Sequence, residues 1–140
     1  MNVMMKYSIL IVILSFSIGS CSDYKKIKNK LISYNLWSID TIKRKEKYEF
    51  IFPSSNHFGS NLMAFRENGV IRLPIPIGQL YNNNGRWDIT VSNDSLFLEV
   101  WDSSFEEFNN VYYIESEVKD GLIFLTLTSD IYVFTCKTAI

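Results

Sequence analysis

Gly85-Arg86-Trp87-Asp88-Ile89-Thr90-Val91-Ser92-Asn93-Asp94-Ser95-Leu96-Phe97-Leu98-Glu99-Val100-Trp101 reads as two β-strands folded back on each other. Apolar and polar residues alternate on both sides of Asn93-Asp94, a pair suited to a tight hairpin turn. A two-residue turn there sets Val91 opposite Leu96, Ile89 opposite Leu98 and Trp87 opposite Val100. All six are apolar and share one face. The other face pairs Thr90 with Phe97 and Asp88 with Glu99. A slip of one residue would send the whole apolar set to solvent, so the pattern specifies its own register.

The same logic extends down the chain. A turn at Asp120-Gly121 sets Val118 opposite Ile123, Ser116 opposite Leu125 and Ile114 opposite Leu127. A turn at Ser129-Asp130 sets Leu127 opposite Tyr132, Leu125 opposite Phe134 and Ile123 opposite Cys136. Both turns put the same residues of the shared strand inward. Upstream, a turn at Asn68-Gly69 leaves an arginine with either apolar set, Arg66 on one face and Arg72 on the other. Pro74 and Pro76 forbid a central ladder position, so that strand lies at an edge or ends early. Residues 75–85 then read as a mobile loop, with Asn82-Asn83-Asn84-Gly85 as a turn signal. Nine strands are predicted, near 35–42, 46–52, 61–67, 70–75, 86–92, 95–102, 110–119, 122–128 and 131–137.

Before the strands, Tyr24, Ile27, Leu31 and Tyr34 recur at helical spacing, with lysines opposite. That predicts a short helix covering an end or side of the domain. The 140 residues hold two alanines and 17 isoleucines, which disfavours a helical bundle. The fold class is therefore all-β: an antiparallel meander of short strands forming a barrel or a sandwich, with a short N-terminal helix.

Residues 1–20 read differently. Lys6 precedes Tyr7 to Ile18, an apolar run too short to span a hydrocarbon core of ~30 Å and of the length of a signal-peptide core. It leads into Ile18-Gly19-Ser20-Cys21. This resembles the bacterial lipobox, an aliphatic residue and two small residues before a cysteine. The resemblance implies cleavage before Cys21, diacylglyceryl transfer to its thiol and a lipid anchor in the cell envelope. Two or more acyl chains hold a protein stably on a membrane. The expected organisation is a signal at 1–20, a lipidated basic tether with the helix at 21–34, and the barrel at 35–140. In such lipoproteins an acid directly after the cysteine holds the protein at the inner membrane; here Ser22 comes first, Asp23 one place later and lysines next, so the resemblance favours the outer membrane with its face undecided.

Charge is distributed unevenly. Residues 23–47 hold eight basic and three acidic side chains, net +5, and residues 48–140 hold five and twelve, net −7. The lysines at 25, 26, 28 and 30 are placed either to meet anionic headgroups or to solvate a tether. An acidic body without a basic, aromatic-interleaved stripe argues against nucleic acid. His57 is the single histidine and there is no CxxC, so no metal set is available and no cofactor is expected. Cys136, in an alternating strand, reads as a small buried hydrophobe. His57 lies beside serines, but no orienting residue or nucleophile elbow accompanies it. Glu106-Glu107 read as solvated, and no enzyme is expected.

Taken together, the lipobox, Leu36-Trp37, Phe65 to Val70, Gly85 to Ile89 running into Ser95 to Leu98, and the Leu-rich strand Leu122 to Thr128 resemble the small lipocalin-like lipoproteins of the Bacteroidota. The resemblance spans most of 30–137. It implies an all-β, antiparallel up-and-down meander closing into a small lipocalin-like barrel of eight to nine strands that encloses an apolar cavity. Two functions follow. In one, the barrel binds a small hydrophobic ligand, lined by Trp37, Phe65, Trp87, Tyr112 and Phe134, with Arg66 or Arg72 meeting a carboxylate. In the other, the barrel is filled by its own side chains and acts as a protein-interaction module of the envelope. The motive for the second is an outward surplus of apolar residues, Phe97, Trp101, Phe124, Ile131 and Val133. That surplus is either a contact surface or the seat of the helix.

Overall fold

The computed structural model describes residues 23–34, 36–46, 49–52, 58–76 and 82–139. The signal segment, Cys21 and His57 lie outside the described residues. Helix α1 covers residues 23–33. Eleven strands follow: β1 Trp37–Arg44, β2 Glu49–Phe52, β3 Phe58–Ser60, β4 Leu62–Phe65, β5 Val70–Arg72, β6 Ile75–Pro76, β7 Asn84–Ser92, β8 Ser95–Trp101, β9 Asn110–Lys119, β10 Leu122–Thr128 and β11 Tyr132–Thr138. A 3-10 turn, Glu106–Phe108, lies between β8 and β9. Eight strands close the barrel in the order β1-β4-β5-β7-β8-β9-β10-β11, with β11 pairing back to β1. Sequence neighbours are spatial neighbours, as an up-and-down meander requires. The start of β1 pairs with β4 and its end with β2, so both occupy the same side of β1. β3 and β6 form a separate two-stranded ribbon.

Two predicted hairpins have the predicted registers. Trp87 faces Val100, Ile89 faces Leu98 and Val91 faces Leu96. Val118 faces Ile123, Ser116 faces Leu125 and Ile114 faces Leu127. Asn93 and Asp94 have φ of 49° and 61°, and Asp120 and Gly121 have 53° and 76°. Positive φ at both central residues marks the turn whose twist matches that of the flanking strands.

Three local readings are corrected. At Asn68-Gly69 the turn takes three residues, not two: Ala64 faces Arg72 and Phe65 faces Ile71. Gly69 sits at φ 79°, and its N–H donates to the Arg66 carbonyl at 3.0 Å. A glycine in this conformation adds one residue to the connection as a bulge. The extra residue resolves the arginine conflict. Met63, Phe65, Ile71 and Leu73 are buried, while Arg66 and Arg72 go with Ala64 to the outer face.

The last hairpin turns at Asp130-Ile131, one residue later than expected, so Leu125 faces Cys136 and Leu127 faces Phe134. Ser129 causes the shift. Its buried hydroxyl accepts the N–H groups of Ile131 and Tyr132 at 3.2 and 2.9 Å. A serine closing a local turn competes with a place in the ladder. The slip is two residues, so the inward set is preserved. Thirdly, Asn84-Gly85 belongs to β7 and is not a turn. A Cβ on Gly85 would lie 2.9 Å from the Trp101 carbonyl oxygen. The glycine serves a close backbone approach.

In β1 the inward residues are Trp37, Ile39 and Ile42, a spacing that breaks alternation. A bulge between Ile39 and Thr41 absorbs the extra residue and restores Ile42 to the core. The core continues into α1, where Ile27 and Leu31 join it. Burying each large aliphatic or aromatic side chain contributes about 1.5–3 kcal/mol.

Candidate functional site

Inside the barrel, Trp37, Phe65, Trp87, Tyr112 and Phe134 are all buried. Their polar atoms are already committed. Trp37 Nε1 donates to the Leu31 carbonyl of α1 at 3.2 Å. Trp87 Nε1 donates to the Arg66 carbonyl at 3.1 Å. The Tyr112 hydroxyl donates to the Phe108 carbonyl at 2.9 Å, and burial pushes that phenol's pKa up. Phe65 meets Trp87 edge to face with centroids 5.0 Å apart. Phe134 stacks edge-on with Phe108 and Tyr112. Among Met63, Ile71, Leu98, Tyr112, Leu127 and Phe134 the residual space is about 10 Å³. That is at most the room of one water, and the walls are apolar. Cys136 is a free, fully buried thiol whose pKa burial raises, as its strand position predicts.

Both ends of this interior are stoppered. At one, Phe108 is wholly buried against Phe105, Tyr132 and Phe134. The segment carrying it is held by Asn83, which is also wholly buried. Asn83 Nδ2 donates to the Pro74 carbonyl at 2.9 Å, and its Oδ1 accepts the Phe105 N–H at 3.2 Å. Glu107 in the same segment accepts the Tyr132 hydroxyl and lies 2.5 Å from Arg44 Nη2. The hydrogen bond from Tyr132, then that from Arg44, lowers the Glu107 pKa. Glu107 is exposed, as expected, and paired as well. Its carboxylate ties the stopper to β1 and β11.

At the other end lies α1. Lys28 Nζ donates to Asp88 Oδ1 at 2.9 Å and sits 5.6 Å from the Trp87 ring centroid. The Lys28 hydrogen bond lowers the Asp88 pKa, and Asp88 raises that of Lys28. Tyr24 Oη adds a longer contact to Asp88 at 3.5 Å. Tyr34, expected on the buried face, is exposed and packs its ring edge-on to Trp37.

The outer face keeps an aromatic strip. Thr90, Phe97, Tyr113, Thr128 and Val133 are successive outward neighbours across β7 to β11. Phe97 and Tyr113 rings lie 5.8 Å apart, and Tyr113, Val111 and Trp101 are exposed. The contacts of α1 run to Trp37 through the Leu31 carbonyl and to Trp87 and Asp88 through Lys28. Arg66 and Arg72, candidates for an inward carboxylate partner, stand on the outer face of β4 and β5. There they border a groove of about 420 Å³ with Ile32 and Leu36. The three-residue turn places them there, and composition gave no signal of its length. Asn83 was missed because a buried asparagine and a turn asparagine look alike in sequence.

Among the described residues no group of His, Cys, Asp or Glu is arranged to hold a metal ion. No described helix is long and apolar enough to cross a membrane. Comparison of the chain with protein-family models, curated proteins and solved structures gives no match.

Proposed function

We propose that the protein is a cell-envelope lipoprotein, anchored by lipid on Cys21 and favouring the outer membrane, whose barrel presents an outer surface to a protein partner. The observation that carries this reading is the filled interior beside an exposed aromatic strip. A lipocalin-like carrier needs a chamber. Among the described residues the barrel is packed with aromatics whose donors are already used, and both ends are stoppered. Interfaces, by contrast, are enriched in exposed Tyr, Trp and Phe. Phe97, Tyr113, Val111 and Trp101 form such a patch on the strands opposite the groove.

Two measurements test the two parts. Growth with a clickable palmitate analogue should label the wild-type chain and not Cys21→Ser. Labelling that survives the substitution sinks the anchor. For the surface, a photo-crosslinking amino acid at Tyr113 should trap a discrete envelope protein in intact cells, whereas the same group at exposed Glu117 should not. Equal trapping at both sites, or none at Tyr113, removes the interaction reading. Titration of a Trp101→Phe variant with fatty acids should leave tryptophan emission unchanged, since the remaining Trp37 and Trp87 are buried. Saturable quenching would restore the ligand reading.

A further inference from the structure

Residues 48–140 carry five basic side chains against twelve acidic ones. Three of the five, Arg66, Arg72 and Arg86, gather on the outer face of β4, β5 and β7. Arg66 N–H donates to the Val70 carbonyl, and Val70 faces Arg86 in the ladder, so the two arginines flank Val70 in one row. Arg72 stands in the next row, opposite Ala64. The Arg86 guanidinium lies over Gly69, where an added Cβ would meet Nη2 at 3.3 Å.

None of the three is in an ion pair among the described residues. The ion pairs there join Lys28 to Asp88, Arg44 to Glu107 and Lys137 to Asp40. Arg72 Nε is buried and has no hydrogen-bond partner. A buried, unsatisfied charged donor is costly to keep, and a guanidinium matches phosphate oxygens in a two-bond fork. Beside the arginines, Ile32 and Leu36 give the groove an apolar wall, and Glu67 is the single carboxylate on its lining.

We infer that this arginine-walled groove seats the phosphate headgroup of an anionic phospholipid, with Ile32 and Leu36 against the glycerol and first methylenes. The inference rests on the lipid-anchor reading for the nearness of the leaflet. Charge complementarity supports it, because three of the five basic side chains of residues 48–140 gather here on an acidic body. So does proximity: α1 begins two residues after Cys21, presents Lys25 to solvent, and ends at the groove through Ile32. An anchored chain samples headgroups at high effective concentration, so each contact can be individually weak.

The test uses the unlipidated chain from residue 21 with Cys21→Ser, which carries α1 and every strand, so it does not depend on acylation. Co-sedimentation with phosphatidylglycerol-containing vesicles should exceed that with pure phosphatidylcholine by tenfold or more at low salt. R66Q/R72Q should reduce the anionic binding at least fivefold with an unchanged melting curve, and R66Q alone, at an exposed side chain, should reduce it by a smaller factor. K25Q/K26Q should leave more than half of it. Equal binding to both vesicle types overturns the proposal. So does binding abolished by K25Q/K26Q and untouched by R66Q/R72Q, which makes the helix the contact. Millimolar inorganic phosphate binding without vesicle binding reassigns the groove to a free anion. Loss of palmitate labelling with intact vesicle binding would sink the anchor and leave the headgroup site standing.

Discussion

Asp88 and Lys28 join α1 to the barrel through one half-exposed contact at 2.9 Å. Exposed pairs contribute at most about 1 kcal/mol. The Asp88 pKa is lowered in the folded protein, chiefly by the Lys28 hydrogen bond. Its contribution is therefore full above the ordinary carboxyl value of about 4 and is lost as pH falls through the lower folded value. Asp88→Asn should lower stability slightly at pH 7 and flatten the loss of stability below about pH 4 in urea melts. Asn83 is a larger matter. Asn83→Ala strands the Pro74 carbonyl and the Phe105 N–H in a buried place and should cost about 2–3 kcal/mol. Gly85→Ala should cost about 1–3 kcal/mol, because the new methyl meets the Trp101 carbonyl at 2.9 Å. Neither residue announces its role in the sequence. Asn82 to Gly85 has the composition of a turn, and only the fold shows that a strand starts inside it.

Hairpins show why some of the fold is readable and some is not. The β7–β8 and β9–β10 turns follow from alternation plus a dipeptide that tolerates positive φ, and both signals are local. The β4–β5 and β10–β11 turns depend on one added residue and on one serine hydroxyl, which alternation does not encode. The burial of the aromatic lining follows from the same alternation, while the side taken by Arg66 and Arg72 hangs on that added residue. At the β7–β8 turn, Asp94 holds φ 61° without being glycine. Asp94→Gly should raise stability by about 0.5–1 kcal/mol and the melting temperature by a few degrees. β9 presents a different problem. Its ladder with β8 ends at Tyr113, so residues 115–119 lack a partner on that side. Glu115, Glu117 and Lys119 place charge along the overhang, the usual protection of an edge. Replacing both glutamates by threonine should promote self-association, visible as a concentration-dependent sedimentation coefficient. A variant that stays monomeric at all concentrations would contradict this.

At the scale of the whole molecule, the barrel is packed inside among the described residues and carries two differently decorated sides. Its interior is closed by Phe108 at one end and by α1 at the other. Removing the α1 contact tests how far the stopper matters to the body. Leu31 is wholly buried. Leu31→Ala should cost about 2–5 kcal/mol in urea unfolding while leaving the far-UV signature of the strands intact.

The closure of β11 on β1 sets a schedule. Trp37 pairs with Thr138, so the seam joins the first strand made to the last. Such distant pairing is entropically late and slow. A nascent chain cannot finish its barrel until residues 132–138 have emerged, and until then it holds two raw strand edges. The delay keeps the chain open and unclosed for as long as its C-terminal strand is held back. A chain cut after residue 131 should stay degradable and aggregate, and adding the missing strand back as a peptide should rescue it.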